Sequence, residues 1–215
     1  CASPAMRPFT CVAHRRAEIA TLLETYRDGG VHNILALAGD PRDDDPDGYG
    51  GDFRYATDLV ELIRATGDFA VGVAAFPEVH PRSRDRASDR RRLADKLAVA
   101  DFGLTQFFFD AEHYRVMVEE LADLGCDTPV VPGVMPFTSV AGTRRMAALN
   151  GTEIPAALQR RMDAVADDPE ATRRLGVQVA SELVARLIDM GAPGIHLYAM
   201  NRAASIRDIY AALGR

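Results

Sequence analysis

Short runs of apolar, often β-branched residues alternate along this chain with longer stretches in which apolar side chains recur every three or four positions. The short runs lie at 8–12, 33–37, 70–76, 104–109, 129–135 and 194–199. They are nearly continuous rather than alternating, which is the pattern of strands covered on both faces. The longer stretches at 17–29, 52–67, 87–100, 111–125, 138–150, 168–191 and 205–214 have helical spacing. In the first of these Ile19, Leu22, Leu23 and Tyr26 share one face, and Gly29-Gly30 supplies the stop. Strands and helices that alternate in this way predict a parallel sheet with right-handed crossovers, either open and doubly wound or closed into a barrel.

Two features favour the barrel. No strand-to-helix turn carries GxGxxG or GxxxxGK[ST], the phosphate loops of common open-sheet nucleotide binders. Polar residues also follow at least four strand ends instead of gathering at one switch point. The predicted fold class is therefore α/β, a (β/α)8 TIM barrel of which about six βα units are visible. Residues 1–215 are expected to form a single catalytic barrel domain whose first two βα units lie upstream of Cys1.

Composition narrows the class only modestly. The chain has 215 residues, 47% hydrophobic and 26% charged, with a net charge of −6, which argues against a nucleic-acid surface. No apolar run approaches the ~18 residues that would span a bilayer. Cys11 and Cys126 read as packing residues of a reducing compartment, hence a cytoplasmic protein. The acidic loop 41–51 contains Asp43, Asp44, Asp45 and Asp47, but its spacing fits no EF-hand, and a solvated loop beside the site is preferred over a metal centre.

Candidate chemistry clusters after the strands. Asp40 ends the run ILALAGD and follows Gly39, a residue that lets backbone approach a ligand closely; it either contacts a ligand or caps the next turn. In FPEVHP, Pro77 and Pro81 stiffen a turn that carries Glu78 and His80. His80 could bind phosphate or ribose, ligate a metal, act as an acid, or serve structure alone. Arg84, Arg86, Arg90, Arg91, Arg92 and Lys96 form a basic stretch that reads mostly as a solvated face. Asp89 and Lys96 are the better site candidates, since seven residues is two helical turns and puts them on one face. Gln106, flanked by apolar residues, offers both donor and acceptor to a heterocycle, and Asp110 closes the same segment. Phe107, Phe108 and Phe109 read as packing between layers. Arg202 follows the last strand and could grip a carboxylate or a flat ring.

These segments, in order, resemble one family across nearly the whole chain. FTC (9–11), NILALAGD (33–40), YATDLV (55–60), VAAFPEVHP (73–81), LTQFFFD (104–110), VVPGVMP (130–136) and YAMNRA (198–203) are similar to methylenetetrahydrofolate reductase. The resemblance implies a (β/α)8 barrel holding FAD noncovalently at the carboxyl ends of its strands. It implies reduction of 5,10-methylenetetrahydrofolate to 5-methyltetrahydrofolate by NADH or NADPH through the flavin, in one-carbon metabolism and methionine biosynthesis, by enzymes that are often homo-oligomers. Carried over position by position, Asp40 is the catalytic aspartate near flavin and pterin. Gly39, Ala56, His80, Asp89 and Lys96 fall on FAD contacts. Gln106 falls on the glutamine that touches folate and nicotinamide in turn, and Arg202 on a folate-contacting arginine.

The chain also departs from the family pattern. Pro8, Ala38, Phe76, Arg92 and Asp95 replace family residues on or beside the flavin side, and Gly142 and Met146 replace a folate-side Gln and Phe. The FEFFPP-like segment with the family's catalytic glutamate, which acts in folate protonation, is absent from 1–215. The rival expectation is thus a shortened, inactive homologue that binds folate or flavin, or pairs with a partner chain.

Overall fold

The computed structural model describes residues 6–39, 51–200 and 203–214. The chain divides into two compact units, one of Cys1–Ala74 with Arg92–Gly103 and the other of Ala75–Arg91 with Leu104–Arg215.

The first unit holds β1 (Met6–Thr10), α1 (Arg16–Asp28), β2 (Asn33–Leu37), α2 (Ala56–Thr66), most of β3 (Ala70–Ala75), the second half of α3 (Arg86–Leu97) and the start of β4 (Phe102–Thr105). Its strands are parallel and adjacent in chain order, with Met6 opposite Asn33 and Asn33 opposite Ala70. Ile34, Ala36, Val71 and Val73 are buried, as are Ile19 and Leu23 of α1 and Leu59, Val60 and Ile63 of α2. Burying one apolar stripe per helix against the sheet is the main stabilising term of such a layer. Gly72 permits a tight crossing, because a Cβ there would lie 2.4 Å from the Phe102 ring.

A short strap orients the start of α2. Asp52 donates its N–H to the His14 carbonyl (3.0 Å) and accepts from the Arg16 N–H at 2.9 Å. Phe53 is buried, with the Arg16 guanidinium 5.1 Å from its ring centroid.

The second unit holds the turn after β3, the first half of α3, the end of β4, α4 (Ala111–Asp123), β5 (Val130–Val131), β6 (Gly133–Val134), α5 (Val140–Asn150), α6 (Ala156–Asp163), α7 (Pro169–Asp189), β7 (His196–Leu197) and α8 (Ala203–Ala212). β6 and β7 are parallel, with Gly133 opposite His196. One apolar cluster joins Phe137, Val140, Leu158, Met162, Leu175 and Val179.

The predicted α/β pattern is realised, with local corrections. The run at 129–135 is two strands, because Pro132 has no N–H to continue a ladder; its carbonyl instead accepts from His196 N–H at 2.9 Å. β4 ends at Thr105, so Phe107 and Phe108 are buried from a loop and not from a strand. Helix α6 was not expected: it has only Leu158 and Met162 as buried anchors, too short a pattern to stand out. Among the described residues of the second unit, β6 and β7 form a two-stranded sheet of their own. No helix among the described residues is long and apolar enough to cross a membrane.

Candidate functional site

In the first unit, Gly39 sits at φ +84°, and a Cβ there would lie 2.5 Å from Val12 Cγ1, so both conformation and space demand glycine. Cys11 is fully buried and its thiol donates to the Ala38 carbonyl at 3.4 Å. Cys11 thus packs in the core, and the same burial pushes its thiol pKa up. Ala56 is the first residue of α2, where Asp58 accepts from the N–H groups of Arg54 (2.8 Å) and Tyr55 (2.9 Å). Lys96 reaches from α3 to donate to the Ala74 carbonyl near the end of β3.

In the second unit one guanidinium organises the FPEVHP turn. Arg90 is 3% exposed at its side chain. All five of its N–H groups meet an acceptor: Nε donates to Glu120 (2.7 Å), Nη1 to Phe76 O (3.0 Å) and Asp89 (2.8 Å), and Nη2 to Pro77 O (2.5 Å) and Glu78 O (2.6 Å). Three consecutive carbonyls are thereby tied to α3. Asp89 closes the turn from the same helix, accepting from Ser83 Oγ at 2.7 Å and from the His80 N–H at 3.2 Å. His80 Nδ1 accepts from the Arg82 N–H (3.1 Å), which leaves the proton of the neutral ring on Nε2, and the ring packs edge-on against Phe76 at 4.5 Å.

Glu78 points elsewhere. Its Oε1 accepts from the Glu153 N–H at 2.8 Å and lies 3.2 Å from His113 Nδ1, a nitrogen whose direction misses hydrogen-bond alignment. Burial raises the Glu78 pKa above 4.5, opposed by the Glu153 N–H and by His113 and reinforced by the Glu153 carboxylate. Stability from the neutral acid is complete below its unfolded value of about 4.5 and is lost as pH rises through the raised folded value. Glu78→Gln is neutral at every pH. Its melting temperature relative to the parent should therefore climb as the pH rises above about 4.5. A difference independent of pH would remove the buried acid from the account.

Gln106 follows β4 directly. Its backbone N–H donates to Ala75 O at 2.8 Å, and its side-chain Oε1 accepts from the Phe107 N–H at 3.0 Å. A backbone N–H can only meet the amide oxygen, so the orientation is fixed and the NH2 group is what the side chain presents outward. Further along the chain, Met135, Phe137, Ser139, Gly142, Met146 and Met200 line part of a cleft of about 250 Å³ after β6 and β7.

Of the residues expected from sequence, His80 and Asp89 are brought together, while Gly39, Ala56 and Lys96 belong to the first unit. Asp40, Arg202 and the acidic loop through residue 50 lie outside the described residues. Asp110 is the N-cap of α4, accepting from the Glu112 N–H at 3.1 Å. The largest revision concerns Arg90, grouped by sequence with a solvated face; Arg91 and Arg92 are exposed, but Arg90 is buried. A signal for it did exist. Arg90 lies three residues before Leu93 and seven before Leu97, both buried, so it shares their inward face.

The family model described as methylenetetrahydrofolate reductase matches residues 1–214. The chain belongs to the methylenetetrahydrofolate reductase family. The 5,10-methylenetetrahydrofolate reductase of Escherichia coli K12 is 34% identical over 196 residues, which are 91% of this chain and 65% of that protein. A probable methylenetetrahydrofolate reductase (NADPH) of Caenorhabditis elegans is 35% identical over 220 residues, 100% of this chain and 33% of its own length. The chain thus spans somewhat less than two thirds of the E. coli reductase. A solved structure of an uncharacterised protein from Clostridium thermocellum, described as binding two copies of 5-methyl-5,6,7,8-tetrahydrofolic acid, matches with TM-score 0.64 at 15% identity, covering 98% of this chain and 72% of that one. At that identity the likeness concerns the fold, and it agrees with the α/β, TIM-barrel class read from the methylenetetrahydrofolate reductase motifs.

Proposed function

We propose that this chain is the catalytic region of a cytoplasmic, flavin-dependent enzyme that reduces 5,10-methylenetetrahydrofolate to 5-methyltetrahydrofolate with NAD(P)H. The observation that carries this reading is Gln106. Its amide is locked so that it offers donors from the end of β4, and family resemblance puts folate and nicotinamide at that position in turn. Asp40, by the same resemblance, holds the pterin and tunes the flavin, and Arg202 grips the folate.

The residues carried over as FAD contacts fit the group in their donor chemistry. Within the first unit, the Lys96 ammonium and the helix N-terminus at Ala56 suit an anionic pyrophosphate. FAD, when bound, supplies the hydride chemistry between nicotinamide and folate. Gly39 is carried over by resemblance alone, and Asp89 contributes chiefly by holding the loop of His80, because its carboxylate is already engaged by Ser83, His80 and Arg90.

The purified chain is expected to absorb near ~450 nm, to bleach with NADH or NADPH under anaerobic conditions, and to recolour on adding methylenetetrahydrofolate. Protein that stays colourless when mixed with FAD and makes no 5-methyltetrahydrofolate would overturn the enzyme. Binding of 5-methyltetrahydrofolate by that colourless protein would favour the inactive-homologue reading instead.

A further inference from the structure

Immediately after β7, Tyr198 extends to the end of β4. Its hydroxyl donates to the Thr105 carbonyl at 2.8 Å. The peptide unit joining Thr105 to Gln106 is consequently held at both ends, since its N–H donates to Ala75 O at 2.8 Å. The Thr105 side chain completes the arrangement: fully buried, it accepts from the Gly133 N–H at 2.7 Å through Oγ1. Gly133 makes room for the ring. A Cβ there would lie 2.5 Å from the Thr105 carbonyl oxygen and 2.6 Å from Tyr198 Cε2.

We propose that Tyr198 is a positioning residue for Gln106, acting through the Thr105 carbonyl. Orientation is what Gln106 must supply. Its side chain is folded against the Phe107 N–H, so any rocking of the 105–106 peptide swings the amide donors with it. A single hydrogen bond resists such rocking about one end only; two at opposite ends of a planar unit fix it. The Tyr198 ring is itself held, packing with Phe107, Met135 and Ala147 and meeting the His196 ring edge-on at 4.6 Å. Burial pushes its phenol pKa up to about 12, so the hydroxyl stays a donor across the working pH range. Tyr198 acts through Gln106 and is thus distinct from the residues that contact ligand.

The proposal rests on the reading of Gln106 as a ligand-contacting residue, and a double-mutant cycle in the full chain separates the two. Tyr198→Phe removes one hydroxyl and keeps the ring. It should lower kcat/KM for methylenetetrahydrofolate about tenfold with flavin content unchanged, the size expected when one buried hydrogen bond is lost. In a Gln106→Ala background the same substitution should cost nothing, because the group being aimed is gone. Equal losses in both backgrounds would overturn the positioning role. A second readout needs no turnover: hydrogen exchange of the Gln106 backbone N–H should quicken in Tyr198→Phe while that of Val134 stays as in the parent. Unchanged protection at Gln106 would sink the clamp whatever the enzyme reduces. A parent that reduces no folate, with the exchange effect intact, would count against the proposed reaction alone.

Discussion

Arg90→Leu is expected to destabilise the folded chain by about 3–5 kcal/mol, the cost of breaking a buried ionic network from one side. Buried ion pairs can often be replaced by apolar residues at little cost, so the sign needs deciding. Here the partners decide it. Three of the five acceptors are the carbonyls of Phe76, Pro77 and Glu78, and no side-chain substitution can remove them. Leucine would take this donor from them and would leave the nearly buried carboxylate of Asp89, which is 8% exposed, without its charged partner, held only by Ser83 Oγ and the His80 N–H. At Glu120 burial opposes ionisation, and Arg86 and Arg90 together outweigh it and hold the pKa below its ordinary value, so that carboxylate also loses a partner. Arg90→Lys keeps the charge but has no planar fork, and should recover only part of the loss. Urea denaturation would measure both variants. A leucine variant within ~0.5 kcal/mol of the parent would mean that the turn carries its own conformation. In the proposed enzyme the same variant should release flavin more readily, since the backbone around His80 loses its anchor.

The arginine also shows where sequence stopped being informative. Hydrophobic period located β2 to the residue and most helices to within a few residues, because burying an apolar face is a requirement that local pattern records. Whether Arg90 turns inward depends on carbonyls twelve to fourteen residues away that accept from it, and no charge pattern encodes that need. The helical face shared with Leu93 and Leu97 was the one available hint. The run LTQFFFD misled for a related reason: Phe107 and Phe108 are as buried as strand residues, and burial alone cannot separate a strand from a loop that packs under it. Motif resemblance, by contrast, identified the family and pointed to Gln106. It did not reveal the hydrogen bond to Phe107 that orients the amide, nor Tyr198 behind it, since both depend on three-dimensional approach.

Gly176→Ala should be more damaging still than its size implies. Within helix α7 alanine is the better helix former by about 1 kcal/mol, and on propensity alone the change would stabilise. Packing reverses the sign. A Cβ at 176 would fall 1.9 Å from the Phe137 carbonyl oxygen and within 3 Å of that residue's carbonyl carbon and nitrogen. These are backbone atoms, so no rotamer change relieves the contact, and the helix or the loop after β6 must move. Either shift opens the cluster in which Phe137 and Val140 meet Leu175 and Val179. The expected loss is about 3 kcal/mol or more, at the upper end for overpacking in a close-packed interior. An exposed position on the same helix, Gln178→Ala, should stay within ~0.5 kcal/mol and so serves as the control for helix propensity. A Gly176→Ala melting temperature near the parent's would mean that α7 can slide outward at low cost. Because Phe137 also lines the cleft after β6 and β7, a variant that folds should still bind folate more weakly, which connects the absence of one side chain on α7 to the shape of the candidate site.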